Sequence, residues 1–365
     1  MDNRSILIAL HQLSGIGWKT IRLLMAGLVD MKQLLFMSAE DISRHGVPAA
    51  KARTIADAMT EQWVEQQLER YNRLNIGIIT VFDEEYPERL RHIAQPPWVL
   101  YTQGRQELMQ CPAIAVVGTR MPTAYGRKAA GELAGELSAA GVTVVSGLAR
   151  GIDGEAHRAA LAHAGSTIAV LGCAAGEVYP RENRALLEQI AERGLILSEY
   201  PLDTPLHPGM FPLRNRIIAG LSLGTLVVEA ADRSGSLITA EQCLEQSGDV
   251  YAVPGPITSP KSRGTNSLIQ QGAKLVATSE DILVEIQRYI RHAPRSPKGK
   301  AGGDKPEALP PDEQAVLDLI GLNPVTFDLL LERSGFSFGH LHSVLLSLLM
   351  KKRIEQKPGP AYTVI

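Results

Sequence analysis

Residues 113–153 read AIAVVGTRMPTAYGRKAAGELAGELSAAGVTVVSGLARGID. Five small or β-branched apolar residues run into Gly118-Thr119-Arg120. A stretch with helical spacing follows over 127–140. A second β-branched run, 142–145, then ends in Ser146-Gly147-Leu148-Ala149-Arg150-Gly151. A strand that is apolar without alternation is buried on both faces, which marks a parallel sheet covered by crossover helices. The same texture predicts strands at 167–171, 195–197, 226–228 and 250–253, and helices at 155–164 and 183–193. Right-handed crossovers between them give an α/β, Rossmann-like parallel sheet core over residues 76–290.

On either side the texture differs. Residues 1–66 read as a helical domain, with apolar residues at helical spacing in 6–13, 21–28 and 55–64. Leu13-Ser14-Gly15-Ile16-Gly17 sits between the first two of these helices. Two glycines there fit a helix-hairpin-helix turn, whose backbone N–H groups can approach a phosphate. The alternative is a bundle turn in a protein-contact module. Residues 292–311 (HAPRSPKGKAGGDKPEALPP) are rich in Pro, Gly and Lys and read as a linker. Helices are then predicted at 312–320, 326–334 and 338–351, with a hairpin over 353–364 around Lys357-Pro358-Gly359-Pro360. That order describes a winged-helix-like C-terminal domain, 312–365. Its recognition-helix candidate carries His340, His342, Lys351 and Lys352 but is largely apolar, so a partner-protein surface competes with major-groove reading.

Composition sets the outer limits. In 365 residues the hydrophobic fraction is 45% and the charged fraction 21%, which excludes whole-chain disorder. Lys+Arg 37 against Asp+Glu 39 gives net charge -2, so any nucleic-acid contact must come from a local patch. Aromatics at 5% argue against a carbohydrate cleft. Cys111, Cys173 and Cys243 form no C-x-x-C pair, which fits a reducing, cytoplasmic setting. No apolar run is long enough to span a membrane, and the N-terminus does not read as a signal peptide.

In an open parallel sheet ligands gather beyond the carboxyl ends of the strands. The turns expected there are Gly118-Thr119-Arg120, Ser146-Gly147 through Arg150, Glu229 with Ser234-Gly235-Ser236, and Pro254-Gly255 leading to Gly264-Thr265-Asn266. Glycine, a small hydroxyl residue and a helix start offer N–H groups to an anion. For any single turn, ordinary helix capping explains the Ser or Thr equally well. Several on one edge, with Arg120 and Arg150 among them, point to a phosphate-lined groove. A dinucleotide site is disfavoured, because Gly118–Gly126 lacks G-x-G-x-x-G and a P-loop lysine is missing.

Residues 204–224 carry Phe211 just before Arg214-Asn215-Arg216, with no acidic residue between Asp203 and Glu229. This suits one phosphate plus one stacked base, and the competing reading makes Phe211 a core aromatic plugging a proline loop. Arg214 and Arg216 lie roughly 200° apart on a helix, so one of them is expected to be structural, paired with Glu229. Asp153 is expected to orient Arg120 or Arg150. His157 and His163 are six apart and do not form a metal pair, so neither a catalytic constellation nor a metal or cofactor is expected.

Gly118-Thr119-Arg120, SGLARGIDGEAH (146–157), FPLRNRIIAGLS (211–222), SGSLITA (234–240), Pro254-Gly255 and GTNSLIQQGA (264–273) occur in order. In combination they resemble the DNA-processing protein A (DprA, or Smf) family. The resemblance implies a cytoplasmic protein that binds single-stranded DNA, protects incoming DNA during natural transformation and loads the RecA recombinase. It implies no enzyme activity, no cofactor, and a homodimer formed near 267–276. It assigns the groove to Gly118, Thr119, Arg120, Ser146, Gly147, Phe211, Arg214 and Asn215, to which the edge turns add Arg150, Arg216, Ser234, Gly235 and Ser236. Thr119 replaces the family's usual serine, and His207 and Leu213 stand where many members carry a basic residue. The competing function is a nucleotide phosphoribohydrolase-type enzyme, in which Glu229 after Gly224-Thr225 would be catalytic.

Overall fold

The computed structural model describes residues 1–292, 310–320, 325–350, 354–357 and 361–364. Two compact units divide the chain, Met1–Arg295 and Ser296–Ile365. Most of the expected linker, Lys351 and Lys352 of the expected recognition helix, and residues 353 and 358–360 of the expected hairpin lie outside the described residues.

The first unit begins with helices α1 (Asn3–His11), α2 (Trp18–Gly27), α3 (Ala39–Arg44), α4 (Ala49–Ala58) and α5 (Glu61–Arg73). Strands β1 (Gly77–Thr80) and β2 (Val99–Gly104) flank the short α6 (Glu88–Arg91). Then come β3 (Ala113–Val117), α7 (Ala124–Ala139), β4 (Thr143–Ser146), α8 (Ile152–Ala160), β5 (Thr167–Leu171), α9 (Arg184–Arg193) and β6 (Leu195–Ser198). The alternation continues through α10 (Met210–Leu221), β7 (Gly224–Val227), α11 (Gly235–Glu245), β8 (Asp249–Ala252), α12 (Arg263–Gln270), β9 (Lys274–Leu275) and α13 (Glu280–His292). The expected strands are β3 to β8, within one or two residues. β1, β2 and β9 come in addition.

The sheet order is β1-β2-β6-β5-β4-β3-β7-β8-β9. All neighbours from β6 to β9 are parallel, whereas β2 runs antiparallel to both β6 and β1. Every residue of β3 is buried because the strand has helices on both faces. Ile114 and Val116 pack with Leu133 and Leu137 of α7 and Ala156 of α8. Ala115 and Val117 pack with Ile217 of α10, Ala240 of α11 and Val170 of β5. Each of the valine, leucine and isoleucine side chains among these contributes about 1.5–3 kcal/mol by leaving water. After β3 the chain builds outward through β4, β5 and β6, then returns to place β7 on the other side of β3. The sheet therefore has its topological switch point between β3 and β7, where open α/β sheets hold ligands.

The N-terminal helices pack onto β2. Val99 and Tyr101 share one apolar cluster with Leu7, Leu10, Ile21 and Val64. Tyr101 stacks on Tyr71 at 4.9 Å. The Tyr71 hydroxyl donates to Gln12 Oε1 (2.7 Å) and accepts from Leu202 N (2.9 Å). In the expected helix-hairpin-helix turn Gly15 takes a left-handed φ of 79°. Trp18, just beyond it, stacks on Trp98 and donates from Nε1 to Pro96 O (2.7 Å). The hairpin is thus seated on the loop that leads into β2.

The second unit holds α14 (Pro311–Ile320), β10 (Val325–Thr326), α15 (Phe327–Ser334), α16 (Phe338–Met350), β11 (Ile354–Lys357) and β12 (Ala361–Val364), with strand order β10-β12-β11. Val316, Leu330, Leu341, Leu345 and Tyr362 form its core. This is a winged-helix arrangement. On α16, His340 bonds Asp312 at 3.0 Å and His342 stacks on Phe338, so both imidazoles face partners within the unit. No helix among the described residues is long and apolar enough to cross a membrane.

Behind the β4–α8 turn lies a fully buried His157. Its Nε2 accepts from Leu148 N (3.3 Å) and its Nδ1 meets Thr167 Oγ1 (2.7 Å), whose own proton goes to Val144 O (2.6 Å). Burial, helped by the charges of Arg214 and Arg158, lowers its pKa from 6.5 to about 3. The unfolded chain therefore binds a proton that the native state refuses. This contribution to stability is complete above pH 6.5 and is lost as pH falls toward 3. His157→Gln is expected to flatten the pH dependence of urea-unfolding free energy between about pH 6 and about pH 5 by roughly 1 kcal/mol per pH unit. Parallel curves for variant and parent would refute it.

Candidate nucleic-acid interface

Beyond the carboxyl ends of β3, β4 and β7 lies a cleft of about 770 Å³, lined by Thr119, Arg120, Phe211, Asn215, Ser234 and Lys261 among others. Arg120 is exposed, and among the described residues its guanidinium has neither ion pair nor hydrogen bond. Phe211 lines the same cleft and packs against Tyr179, with ring centroids 5.1 Å apart. Tyr179 is 43% exposed, so the two rings present an aromatic ledge. Gly172 makes room for it: a Cβ there would stand 2.6 Å from the Phe211 ring.

The floor of the cleft is built from groups that satisfy one another. Arg214 is only 5% exposed. Its Nη1 donates to Gly147 O (2.8 Å) and to Val170 O, and its Nε to Asn215 Oδ1 (3.2 Å). Gly147 is required beneath it, since a Cβ would fall 2.5 Å from Arg214 Nη2. Asp153 Oδ2 accepts from Gly147 N (3.1 Å) and Ala149 N (3.4 Å). Burial raises the Asp153 pKa, and the charge of Arg214 with those N–H groups opposes the rise. Leu148, between them, holds a left-handed φ of 56° because its N–H goes to His157 and its carbonyl to Asn183 Nδ2 (2.9 Å).

Several expectations are corrected here. Asp153 does not orient Arg120 or Arg150. It closes its own turn, and the cation that balances it is Arg214. Arg150 pairs instead with Glu182 at the surface. Arg216 does not pair with Glu229. It reaches Glu199 Oε1 (2.5 Å) and Gln95 O (3.0 Å), on the side of α10 away from Arg214. Ser146 is fully buried and donates to Val116 O (2.6 Å), which turns its hydroxyl into the sheet. Ser234 caps α11, accepting from Ser236 N (3.4 Å), and the two hydroxyls lie 2.8 Å apart. Gly118, Thr119, Arg120, Phe211, Asn215, Ser234, Gly235 and Ser236 do converge on the one cleft. Gly147 and Arg150 line a narrow recess that shares Arg120, Phe211 and Arg214 with it.

Glu229 is 2% exposed. Its carboxylate accepts from Thr123 N (2.9 Å) and Thr123 Oγ1 (2.5 Å), while Thr123 in turn caps α7 by accepting from Gly126 N (3.0 Å). A carboxylate at a helix N-terminus is the partner that the helix dipole favours. Two helices that start at the switch point, α7 and α8, are thus already served by Glu229 and Asp153. Sequence reasoning missed Tyr179 and Lys261. The connection after β5 has no hydroxyl residue near its glycines, so it lacked the signature of the other turns. The signal present was Tyr179-Pro180, an aromatic fixed before a proline.

A Rossmann-like sheet with a basic and aromatic cleft at its switch point, a helical N-terminus and a winged-helix unit defines the class. Residues 77–287 match the family model of DNA recombination-mediator protein A, and residues 301–360 match the DprA winged helix domain. The chain belongs to the DNA recombination-mediator protein A (DprA) family, whose work is DNA processing and recombination. It is 44% identical over 227 residues to the DNA processing protein DprA of Bacillus subtilis, spanning 62% of this chain and 76% of that one. The crystal structure of DprA from Streptococcus pneumoniae superimposes with TM-score 0.68 at 35% identity, covering 78% of this chain and 98% of that chain. A structure concerned with the single-stranded DNA binding mode of the Helicobacter pylori protein gives TM-score 0.53 at 30% identity, over 58% and 96% of the two chains.

Because Glu229 is a buried acceptor rather than an exposed acid, Glu229→Gln is expected to cost about 1.5–3 kcal/mol of stability. Urea unfolding checks this, and an unchanged midpoint would remove its capping role.

Proposed function

We propose that this chain binds single-stranded DNA in the switch-point cleft, shields it, and hands it to a RecA-type recombinase during recombination or transformation. The observation that carries the reading is Arg120, exposed and without an ion pair among the described residues, lining one cleft with an aromatic ledge of Phe211 and Tyr179. A phosphate on the arginine and a base on the ring meet both chemical features of a single strand without reading its sequence. The Helicobacter pylori relative, studied for its single-strand binding, supports the assignment. Thr119, Asn215 and Lys261 complete the wall, whereas Arg214 acts by holding the floor in place. A binding role rather than catalysis is favoured because both buried carboxylates are already engaged, Glu229 by Thr123 and Asp153 by the N–H groups of Gly147 and Ala149.

Arg120→Ala is expected to weaken binding to oligothymidylate and to make the slope of log K against log salt shallower by about 0.7. Phe211→Ala is expected to weaken it about tenfold with the slope unchanged, since stacking contributes ~1–3 kcal/mol per base. Fluorescence anisotropy across a salt series measures both, and an Arg120→Ala slope equal to the parent's would reject the phosphate role. The homodimer is proposed near 267–276, where Leu275 on the edge strand β9 is 47% exposed. Leu275→Asp is expected to shift sedimentation toward monomer, and an unchanged profile would move the interface elsewhere.

A further inference from the structure

A second hollow, of about 750 Å³, adjoins the cleft and is lined by Arg150, Tyr179, Arg181, Glu182, Arg184 and Leu206 among others. Tyr179 borders the main cleft, the narrow recess and this hollow alike, and Arg150 borders the last two. The three depressions therefore lie side by side, with Tyr179 shared by all of them. Three arginines line the far end against two carboxylates, Glu177 and Glu182. Glu182 is paired with Arg150. Arg181 and Arg184 are exposed and, among the described residues, have no ion pair or hydrogen bond.

Their position runs against local chemistry. Arg184 is the first residue of α9, and Arg181 lies in the turn just before it. The amide dipoles make a helix start positive, so cations there are unfavourable. A local rule broken without compensation inside the fold is the mark of a residue kept for an outside contact. The exposed faces of Tyr179 and of Leu206, itself 44% exposed, supply apolar surface beside those charges.

We propose that the strand does not end at the switch-point cleft but crosses the Tyr179 ledge into this second hollow, where Arg181 and Arg184 hold further phosphates. The inference rests on the single-strand reading above and extends it from one contact site to a path with a direction along the carboxyl edge. Short strands fill the cleft alone, and only longer ones reach the two arginines.

The test uses the full chain and oligothymidylates from about 4 to about 16 nucleotides, the range of site sizes for single-strand folds. The double variant Arg181→Ala/Arg184→Ala is expected to bind the shortest strand like the parent. On the longest it should lose about tenfold in affinity, with a salt slope shallower by up to about 1.4. Because two unfavourable cations leave a helix start, its melting temperature should equal or exceed the parent's, which controls for folding. Arg120→Ala, in contrast, should weaken every length. Equal loss at all lengths, or no loss on the longest strand, would overturn the second contact. A silent Arg120→Ala alongside a length-dependent loss in the double variant would keep the second hollow and reject the cleft.

Discussion

Arg214 places its guanidinium under the cleft, between the carbonyl of Gly147 and that of Val170, with almost no access to water. A buried cation is tolerated only when its charge is balanced and its donors are used, and removing one partner of such an arrangement costs about 3–5 kcal/mol. Asp153 supplies the balance from the start of α8 and at the same time takes the two free N–H groups of the β4 turn. One interaction therefore fixes the end of β5, the turn after β4, and the first turns of α8 and α10. Phe211 is carried on α10, three residues before Arg214. The placement of the aromatic side chain in the cleft with Arg120 follows from how Arg214 is packed.

The parallel core was legible because its strands are buried on both faces, which leaves continuous apolar runs such as Ala113–Val117. The additional strands have other causes. β1 and β2 are antiparallel, and β2 is shared between the sheet and the N-terminal helices, so its Val99 and Tyr101 serve the helical core rather than the α/β core. β9 is two residues long and both are exposed, so it carries no burial pattern. At the site, the residues were legible as a set while their roles were not. Arg120 and Arg214 look alike in the sequence, yet one is solvated and the other is walled in by Gly147 and β5. That difference is tertiary. Two residues apart on α10, Arg214 and Arg216 do reach different partners. That both are engaged was not legible, because Glu199 lies on the preceding strand connection and not among the cleft turns.

The hydroxyl residues illustrate the same limit. Thr123 and Ser234 are helix caps, and Ser146 donates into β3. A Ser or Thr after a strand offers the same hydrogen-bonding group to a helix end, a neighbouring carbonyl or a ligand, and only the neighbours decide.

Filling two helix starts with the chain's own carboxylates has a consequence for what the edge can hold. A mononucleotide brings a compact, multiply charged phosphate that needs convergent N–H donors at a helix N-terminus. Here Glu229 sits at the start of α7 on Thr123, and Asp153, in the first turn of α8, takes the N–H groups of the β4 turn, so buried carboxylates already stand where such a phosphate would be held. A single strand presents the opposite problem: about one charge per nucleotide, spread along a flexible chain, with an aromatic face on every base. Spaced arginines and an exposed ring suit that distribution, because each contact is weak and the sum grows with length. On this reading the carboxylates are part of the selectivity. They close the sheet edge to the small ligands that Rossmann-like folds usually hold and leave the solvated arginines for a polymer.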